Sequence, residues 1–327
     1  MRKLVWTVLA VFVAAFDAYP SWNISIVHSY HKEYAWEQQL TSGLVDALPK
    51  NATLNHLYLD TKRLPKTQHA QAARKTLCQL ETNRPDLIIL CDDNAARYLG
   101  PRLKNRATPV VYVGLNRNPR DYGLFPADNM TGILERPLIK RSLHSMCRLV
   151  NPDDTKVLIL FDSDSTSDAV LHEAFKGETC FRLGKVQVEI RQYELVTDWK
   201  NALLQAKSAG FDTVYIGLYH TLRTRSGEHV PDEEVIAWAS AHATVPIFAF
   251  WDFAVGKGKT IGGHVLSGRD QGLAGGEMAS EIMAGTPPSE IAPRSAKDGS
   301  YQFSLHELRR FGITLPRTIR EQAVLLP

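Results

Sequence analysis

The sequence has no Cys-x-x-Cys pair, no G-x-x-x-x-G-K-[ST] phosphate loop, no G-x-S-x-G serine elbow and no complete calcium-binding loop. Each absence removes a class of chemistry. Zinc and dithiol sites of the usual kind need paired cysteines, nucleotide hydrolysis needs a backbone cradle for phosphates, and acyl transfer by serine needs a nucleophile on a sharp turn. Blocks of like charge are missing too. The 38 basic and 35 acidic residues leave a net charge of +3 spread along the chain, so nucleic acid and anionic membrane surfaces are not expected partners. Neither a cofactor nor a metal is expected. Beyond the first residues there is no long apolar run, so the mature chain is expected in solution.

What is present describes an exported globular protein. Its 327 residues are 44% hydrophobic and 22% charged, near globular averages, and the length suggests two domains. The opening MRKLVWTVLAVFVAAFDA has a basic start, a short apolar stretch and then small residues. This is the layout of a signal peptide over residues 1–18, with cleavage after Ala15 or Ala18 and a periplasmic destination. The alternative is an uncleaved anchor. Export favours oxidation, and Cys147 and Cys180 are placed at the ends of two successive helices, so a disulfide between them is expected. Cys78, on a helix's apolar face, and Cys91, ending a buried strand, are expected in the core.

Short apolar runs alternate with amphipathic stretches, the pattern of parallel sheets covered by helices on both faces. Strands are expected at residues 24–27, 54–59, 87–91 and 110–113, and the pattern restarts at 157–161, 186–190, 214–217 and 247–250. Two such sets imply two similar α/β lobes. Extended segments at 131–134, 261–266 and 302–305 stand outside both sets, as expected of a chain that crosses between lobes three times through a hinge.

The apolar runs end abruptly in polar residues. NISIV gives way to His28, Ser29 and Tyr30; LIILC to Asp92, Asp93 and Asn94; VVYVGL to Asn116. In the second set, VLILF leads to Asp162 through Ser165, Thr166 and Ser167, VYIGL to Tyr219 and His220, and IFAF to Trp251 and Asp252. Ligands of open parallel sheets bind beyond the carboxyl ends of the strands, near free helix N-termini. Such turns in each set describe two rims of one cleft.

Four segments, HSYHKEYAWEQQLTSGL, DLIILCDDNAARYL with TPVVYVGLN, FWDFAVGKGKTIGGHVLSGRDQGLAGGEMASEIMAG and LHELRRFGITLP, carry a resemblance in order and spacing. The chain resembles the type I periplasmic substrate-binding proteins of ABC transporters, in particular the branch that includes tryptophan and other aromatic amino-acid binders. The resemblance implies two Rossmann-like lobes joined by a three-strand hinge that close on one small ligand and present it to a membrane permease. Similar modules serve as sensors for histidine kinases, which is the alternative role; a hydrolase using the acidic turns is a third reading. The ligand-facing residues would be Ser29, Tyr30, Asp93, Asn94, Asn116, Ser165, Thr166, Ser167, Tyr219, Trp251 and Asp252. Lobe one is expected over residues 22–131 with 267–292, lobe two over 132–266 with 300–316, and a tail over 317–327, in a monomer. The turns depart from those of aromatic amino-acid binders in carrying Asp92, Asp93, Asp162, Asp164 and Asp252. A small polar, ring-bearing ligand is expected, an amino acid or a sugar, with an amine or polyol admitted by the acidic turns.

Three features receive plain structural readings. Trp36 falls on its helix's apolar stripe and is expected in the core. One of Asp92 and Asp93 is expected to cap the following helix. His28, His31 and His220 are expected to hydrogen-bond to solvent or ligand rather than to hold a metal.

Overall fold

Strands form where the apolar runs are continuous, because a parallel sheet covered by helices on both faces buries both sides of every central strand. In the computed structural model, described for residues 21–151, 153–296 and 299–327, all five residues of LIILC and all six of VVYVGL are buried. The expected signal peptide lies outside the described residues. In chain order the first elements are β1 (Asn23–His28), α1 (Ala35–Ala47), β2 (Thr53–Tyr58), α2 (Lys66–Asn83), β3 (Leu87–Cys91), α3 (Asp92–Leu103), β4 (Val110–Leu115) and β5 (Met130–Leu134). The second set is α4 (Ile139–Val150), β6 (Thr155–Asp162), α5 (Ser165–Phe175), β7 (Cys180–Leu183), β8 (Val186–Tyr193), α6 (Val196–Leu204), β9 (Thr213–Ile216), α7 (Asp232–His242) and β10 (Ile247–Ala249). The last part holds β11 (Gly262–Val265), α8 (Gly268–Met283), β12 (Arg294–Ser295), β13 (Ser300–Ser304), α9 (Leu305–Arg310), α10 (Arg317–Arg320) and β14 (Val324–Leu326).

Three sheets organise these elements. The first has the order β12-β5-β4-β3-β1-β2 and is parallel throughout. The second has the order β10-β9-β6-β8-β7, with only β7 antiparallel. The third is β11-β13-β14. In the first sheet successive connections diverge at the β1/β3 pair, and in the second at β6/β9. Those are the topological switch points where crevices open in this class of fold. The loops after β1, β3, β6 and β9 therefore converge.

On one face of the first sheet Leu40 and Leu44 of α1 pack with Met278 and Ile282 of α8; on the other, Leu77 of α2 and Leu99 of α3 form a second cluster. Helices α1 and α8 approach to backbone contact. A Cβ on Gly272 would lie 2.0 Å from the Leu40 carbonyl oxygen, and one on Gly43 would lie 2.1 Å from that of Arg269. This binds a segment from late in the chain to the first lobe. By pairing, β5 and β12 belong to the first sheet, whereas β11 and β13 pair with each other in the third.

Several expectations are corrected. Residue 131 falls inside β5, which pairs with β4, so lobe one runs past Leu134. It also takes in β12, beyond residue 292, through pairing with β5. The 317–327 segment is not a loose tail: β14 joins β13 in the third sheet. Cys180 opens the edge strand β7 rather than closing a helix, and it is an exposed free thiol while Cys147 is a buried free thiol. The expected disulfide is absent because one sulfur is inside the lobe core and the other faces solvent. Cys78 is exposed on the outer side of α2, not in the core.

Candidate functional site

The β1 exit is fixed first. The Ser29 hydroxyl donates to the Cys91 carbonyl over 2.6 Å and accepts the Ala95 backbone N–H over 2.7 Å, which ties the loop after β1 to the start of α3. The Tyr30 N–H donates to Glu37 over 3.1 Å. Tyr30 is thereby held at the rim with its ring directed across the cleft.

Asp92 then gathers two rings. It has φ +72°, a left-handed conformation uncommon for a non-glycine residue and often found where structure serves function. One carboxylate oxygen accepts the Tyr30 hydroxyl over 3.1 Å and the other accepts the Trp36 indole N–H over 2.7 Å. The Tyr30 hydroxyl also shares a 3.0 Å hydrogen bond with Thr166 of the opposite lobe. Asp92 is accordingly not a helix cap; the N-cap position of α3 is Cys91, which makes no side-chain cap bond, and the Ser29 hydroxyl takes the Ala95 N–H of the first turn instead. Trp36 is buried as expected of a core residue, but it also forms part of a cavity wall.

Glu135 repeats the arrangement where β5 leaves the first sheet. It accepts the Trp251 indole N–H over 2.6 Å and the Asn116 amide over 3.1 Å. Trp251 lies parallel to Phe253 at 6.2 Å, and Trp36 meets Phe253 edge-on at 6.3 Å. Tyr30, Tyr34, Trp36, Trp251 and Phe253 surround a small cavity of about 10 Å³ between the lobes, room for about one water molecule. Lys62 completes the wall. Its ammonium stands 4.3 Å from the Tyr30 ring centroid and 5.3 Å from that of Tyr34.

Burial controls the ionisation of this site. It pushes the Asp92 carboxyl well above the usual carboxylate range; Glu135, Glu37 and Asp93 add repulsion, and Lys62 opposes the rise. Burial likewise raises Glu135 to about 8, against hydrogen bonds from Trp251 and Asn116. Burial also drives His220 well below the usual imidazole value, with Lys62 adding to the effect. The carboxyls serve as acceptors that orient aromatic donors, and the low-dielectric setting favours their neutral forms.

Of the residues expected at the strand ends, Tyr30, Asn116, Thr166 and Trp251 line the cavity. The others stand one layer out. Asn94 accepts from the Ser165 hydroxyl over 3.3 Å, beside the cavity and across the lobes. Asp93 accepts the backbone N–H groups of Asn116 and Arg117 over 3.0 and 2.9 Å and the Tyr122 hydroxyl over 3.1 Å, which pins the loop carrying Asn116. Ser167 donates to Asp162 and steadies the start of α5. Tyr219 stacks on His220 at 4.2 Å. Asp252 starts the 3-10 turn Asp252–Ala254, its carboxyl raised to about 6 by burial against hydrogen bonds from Ser267 and Gln39.

The ligand-facing set read from the sequence omitted Lys62 and Glu135, and also Tyr34, Trp36, Asp92, Leu218 and Phe253. The signal was available for the first two. Lys62 follows the end of β2 and Glu135 follows β5 directly, so the strand-end rule extends to both.

His28 behaves differently from expectation. His28 Nδ1 bonds Glu37 at 2.7 Å and its Nε2 meets His56 Nδ1 at 3.0 Å, inside the lobe rather than towards solvent or the cavity. His28, Glu37 and Cys91 each bring a potential metal-binding atom within 4.8 Å of the others. The internal His–Glu hydrogen bond, with the other Glu37 oxygen engaged by Tyr30, accounts for the grouping through protein partners alone.

A family model described as ABC transporter substrate binding protein matches residues 37–325. Among solved structures, a domain from Streptococcus pneumoniae in complex with L-Trp superposes with TM-score 0.69 at 15% identity, covering 94% of this chain and all of that one. A conserved domain protein from Vibrio cholerae gives TM-score 0.70 at 16% identity, with the same coverage. The ligand-free, open form of a substrate-binding protein with adhesive properties from Clostridium difficile gives 0.62 at 16%, again covering 94% and 100%. At such identities the likeness is one of fold. No curated protein matches the sequence.

Proposed function

The chain belongs to the ABC transporter substrate binding protein family, and from that premise we propose that it captures a small polar, ring-bearing solute between its lobes and delivers it to a membrane permease. It does so outside the cytoplasm, as an exported monomer. The observation that carries this reading is the interlobe wall of five aromatic rings, whose Tyr30 hydroxyl reaches Asp92 in one lobe and Thr166 in the other. Flat apolar faces framed by a few fixed polar groups suit a planar ring with hydrogen-bonding edges, an amino acid or a sugar-like molecule. The neighbour that holds L-Trp is in keeping with such a solute.

The cavity also bears on mechanism. At about 10 Å³ it admits an amino-acid-sized molecule only if the lobes part. Contacts that a solute makes with both rims stabilise the closed form over the open one and shift the equilibrium between them. Lys66 donating to the Ser163 carbonyl over 3.3 Å and Arg223 to that of Arg63 over 3.4 Å are closing contacts of the kind this cycle makes and breaks. The carboxylates of the site are engaged by indole, phenol and amide donors, an arrangement that positions rings rather than activates water.

A thermal-shift screen of amino acids, sugars and polyamines on the purified protein tests the reading, because a solute that binds only the native state raises its melting point. At least one ring-bearing polar compound is expected to raise Tm in a concentration-dependent way. A flat response across all classes removes the solute-binding proposal.

A further inference from the structure

Lys62 is the one charged residue of the cavity wall that makes neither an ion pair nor a hydrogen bond among the described residues. Its side chain is 2% exposed. Among the described residues no carboxylate stands within ion-pair distance of its ammonium; it faces the rings of Tyr30 and Tyr34, and its charge reaches the Asp92 carboxyl through space. Burying an ammonium without a counter-ion is costly, and cation–π contact offsets only part of that cost.

The carboxyls of the cavity wall are already engaged, whereas Asp164, buried at the mouth, keeps one oxygen without a hydrogen-bond partner. Both Asp92 oxygens hold ring donors, Tyr30 and Trp36, and both Glu135 oxygens hold Trp251 and Asn116. The carboxyl groups of the cavity thus organise its walls, while the ammonium retains three N–H donors. Lys62 also lines a second, outer space of about 320 Å³ at the cleft mouth, together with Lys66, Arg223, Asp164 and Glu194. It stands at the boundary between the aromatic interior and the mouth.

We propose that Lys62 is the anchor for an anionic group, a carboxylate, on the solute, and that this residue sets the substrate class to ring-bearing acids, amino acids included, over neutral sugars and simple amines. The ring would stack among Trp36, Trp251 and Phe253, with the carboxylate turned towards the mouth and the Lys62 ammonium. A charge-assisted hydrogen bond in a site of low dielectric is stronger than a neutral one, so loss of the anionic group has a large effect on affinity. The inference rests on the cavity being a solute site.

The test is a matched panel measured by thermal shift and calorimetry on the full exported chain. It sets L-phenylalanine, L-tyrosine, L-tryptophan and L-histidine against their amides and decarboxylated amines, and glucuronate against glucose. The expected result is that a carboxylate member binds wild type, that its amide or amine binds at least about tenfold more weakly, and that Lys62→Met abolishes the difference. Lys62→Arg should retain part of it. Lys62→Met replaces an unpaired buried ammonium by an apolar chain of similar length, so its solute-free Tm should not fall; Lys62→Gln is the second variant if it does. Binding led by amines or neutral compounds, or carboxylate binding unchanged in Lys62→Met and Lys62→Gln, overturns the assignment while the solute-binding reading stands. No binding by any member overturns both.

Discussion

The indole N–H of Trp251 donates to the Glu135 carboxylate over 2.6 Å, joining the loop after β10 in the second lobe to the point where the chain leaves the first. Trp251 is at once a wall of the cavity, a member of the lobe-two core and a tie at the first crossing between lobes. Trp251→Ala therefore removes three things together. A buried tryptophan truncated to alanine costs about 3–5 kcal/mol, so this variant is expected to lose stability as well as solute binding. Trp251→Phe keeps a ring opposite Phe253 while deleting the hydrogen bond and part of the indole's volume. It should remain folded with a modest drop in Tm and weaken binding. Affinity unchanged in Trp251→Phe, measured by calorimetry, would show that the indole N–H has no part in shaping the site.

Glu135 gives the second expectation. Its carboxyl is raised by burial to about 8, so the native state holds its proton more tightly than the unfolded chain. The linked stability is fully present below the ordinary carboxylate range and is lost as pH rises towards about 8. Asp92 shifts in the same direction. Tm of the wild type should decline from about pH 5 to 8, and Glu135→Gln, which cannot ionise, should show a shallower decline. Equal slopes in scanning calorimetry would remove Glu135 as a source of the dependence.

The alternation of apolar and amphipathic segments was enough to read the two α/β lobes, because central parallel strands buried on both faces leave continuous runs such as LIILC. The rim positions Tyr30, Asn116, Thr166 and Trp251 were legible for a related reason: the turns that follow such runs stand at the carboxyl ends of the strands, where the crevice opens, although His28, in the same kind of position, turns into the lobe. Lys62 and Glu135 were not read. The first follows an edge strand whose own burial pattern is mixed, so its lysine resembles an ordinary surface charge until Tyr30 and Tyr34 fold over it. The second sits in a connector whose partners, Trp251 and Asn116, lie 116 and 19 residues away. The cysteine pairing failed because β7 is a short edge strand, exposed at Cys180 and Arg182, without an apolar run.

The close approach of α1 and α8 makes Gly272 intolerant of any side chain. A Cβ there would stand 2.0 Å from the Leu40 carbonyl oxygen and 2.9 Å from the Leu44 nitrogen, backbone atoms that cannot rotate aside. Gly272→Ala must push the helices apart, and overpacking of this kind costs about 1–3 kcal/mol. The urea midpoint should fall by a corresponding amount. A midpoint equal to wild type would mean that α8 shifts freely on α1.

Thiol accessibility gives the last expectation and separates the free-cysteine structure from the disulfide read in the sequence. Cys78 and Cys180 are exposed, whereas Cys91 and Cys147 are buried. Burial also pushes the Cys147 thiol up to about 12 and Cys91 well above the usual thiol value, so neither offers a thiolate at neutral pH. A maleimide applied to the native, unreduced protein should modify Cys78 and Cys180, and the other two should react only after unfolding. Peptide mapping that finds Cys180 protected until a reductant is added would restore the Cys147–Cys180 bridge, and would require β7 to lie against the end of α4 rather than along the sheet edge.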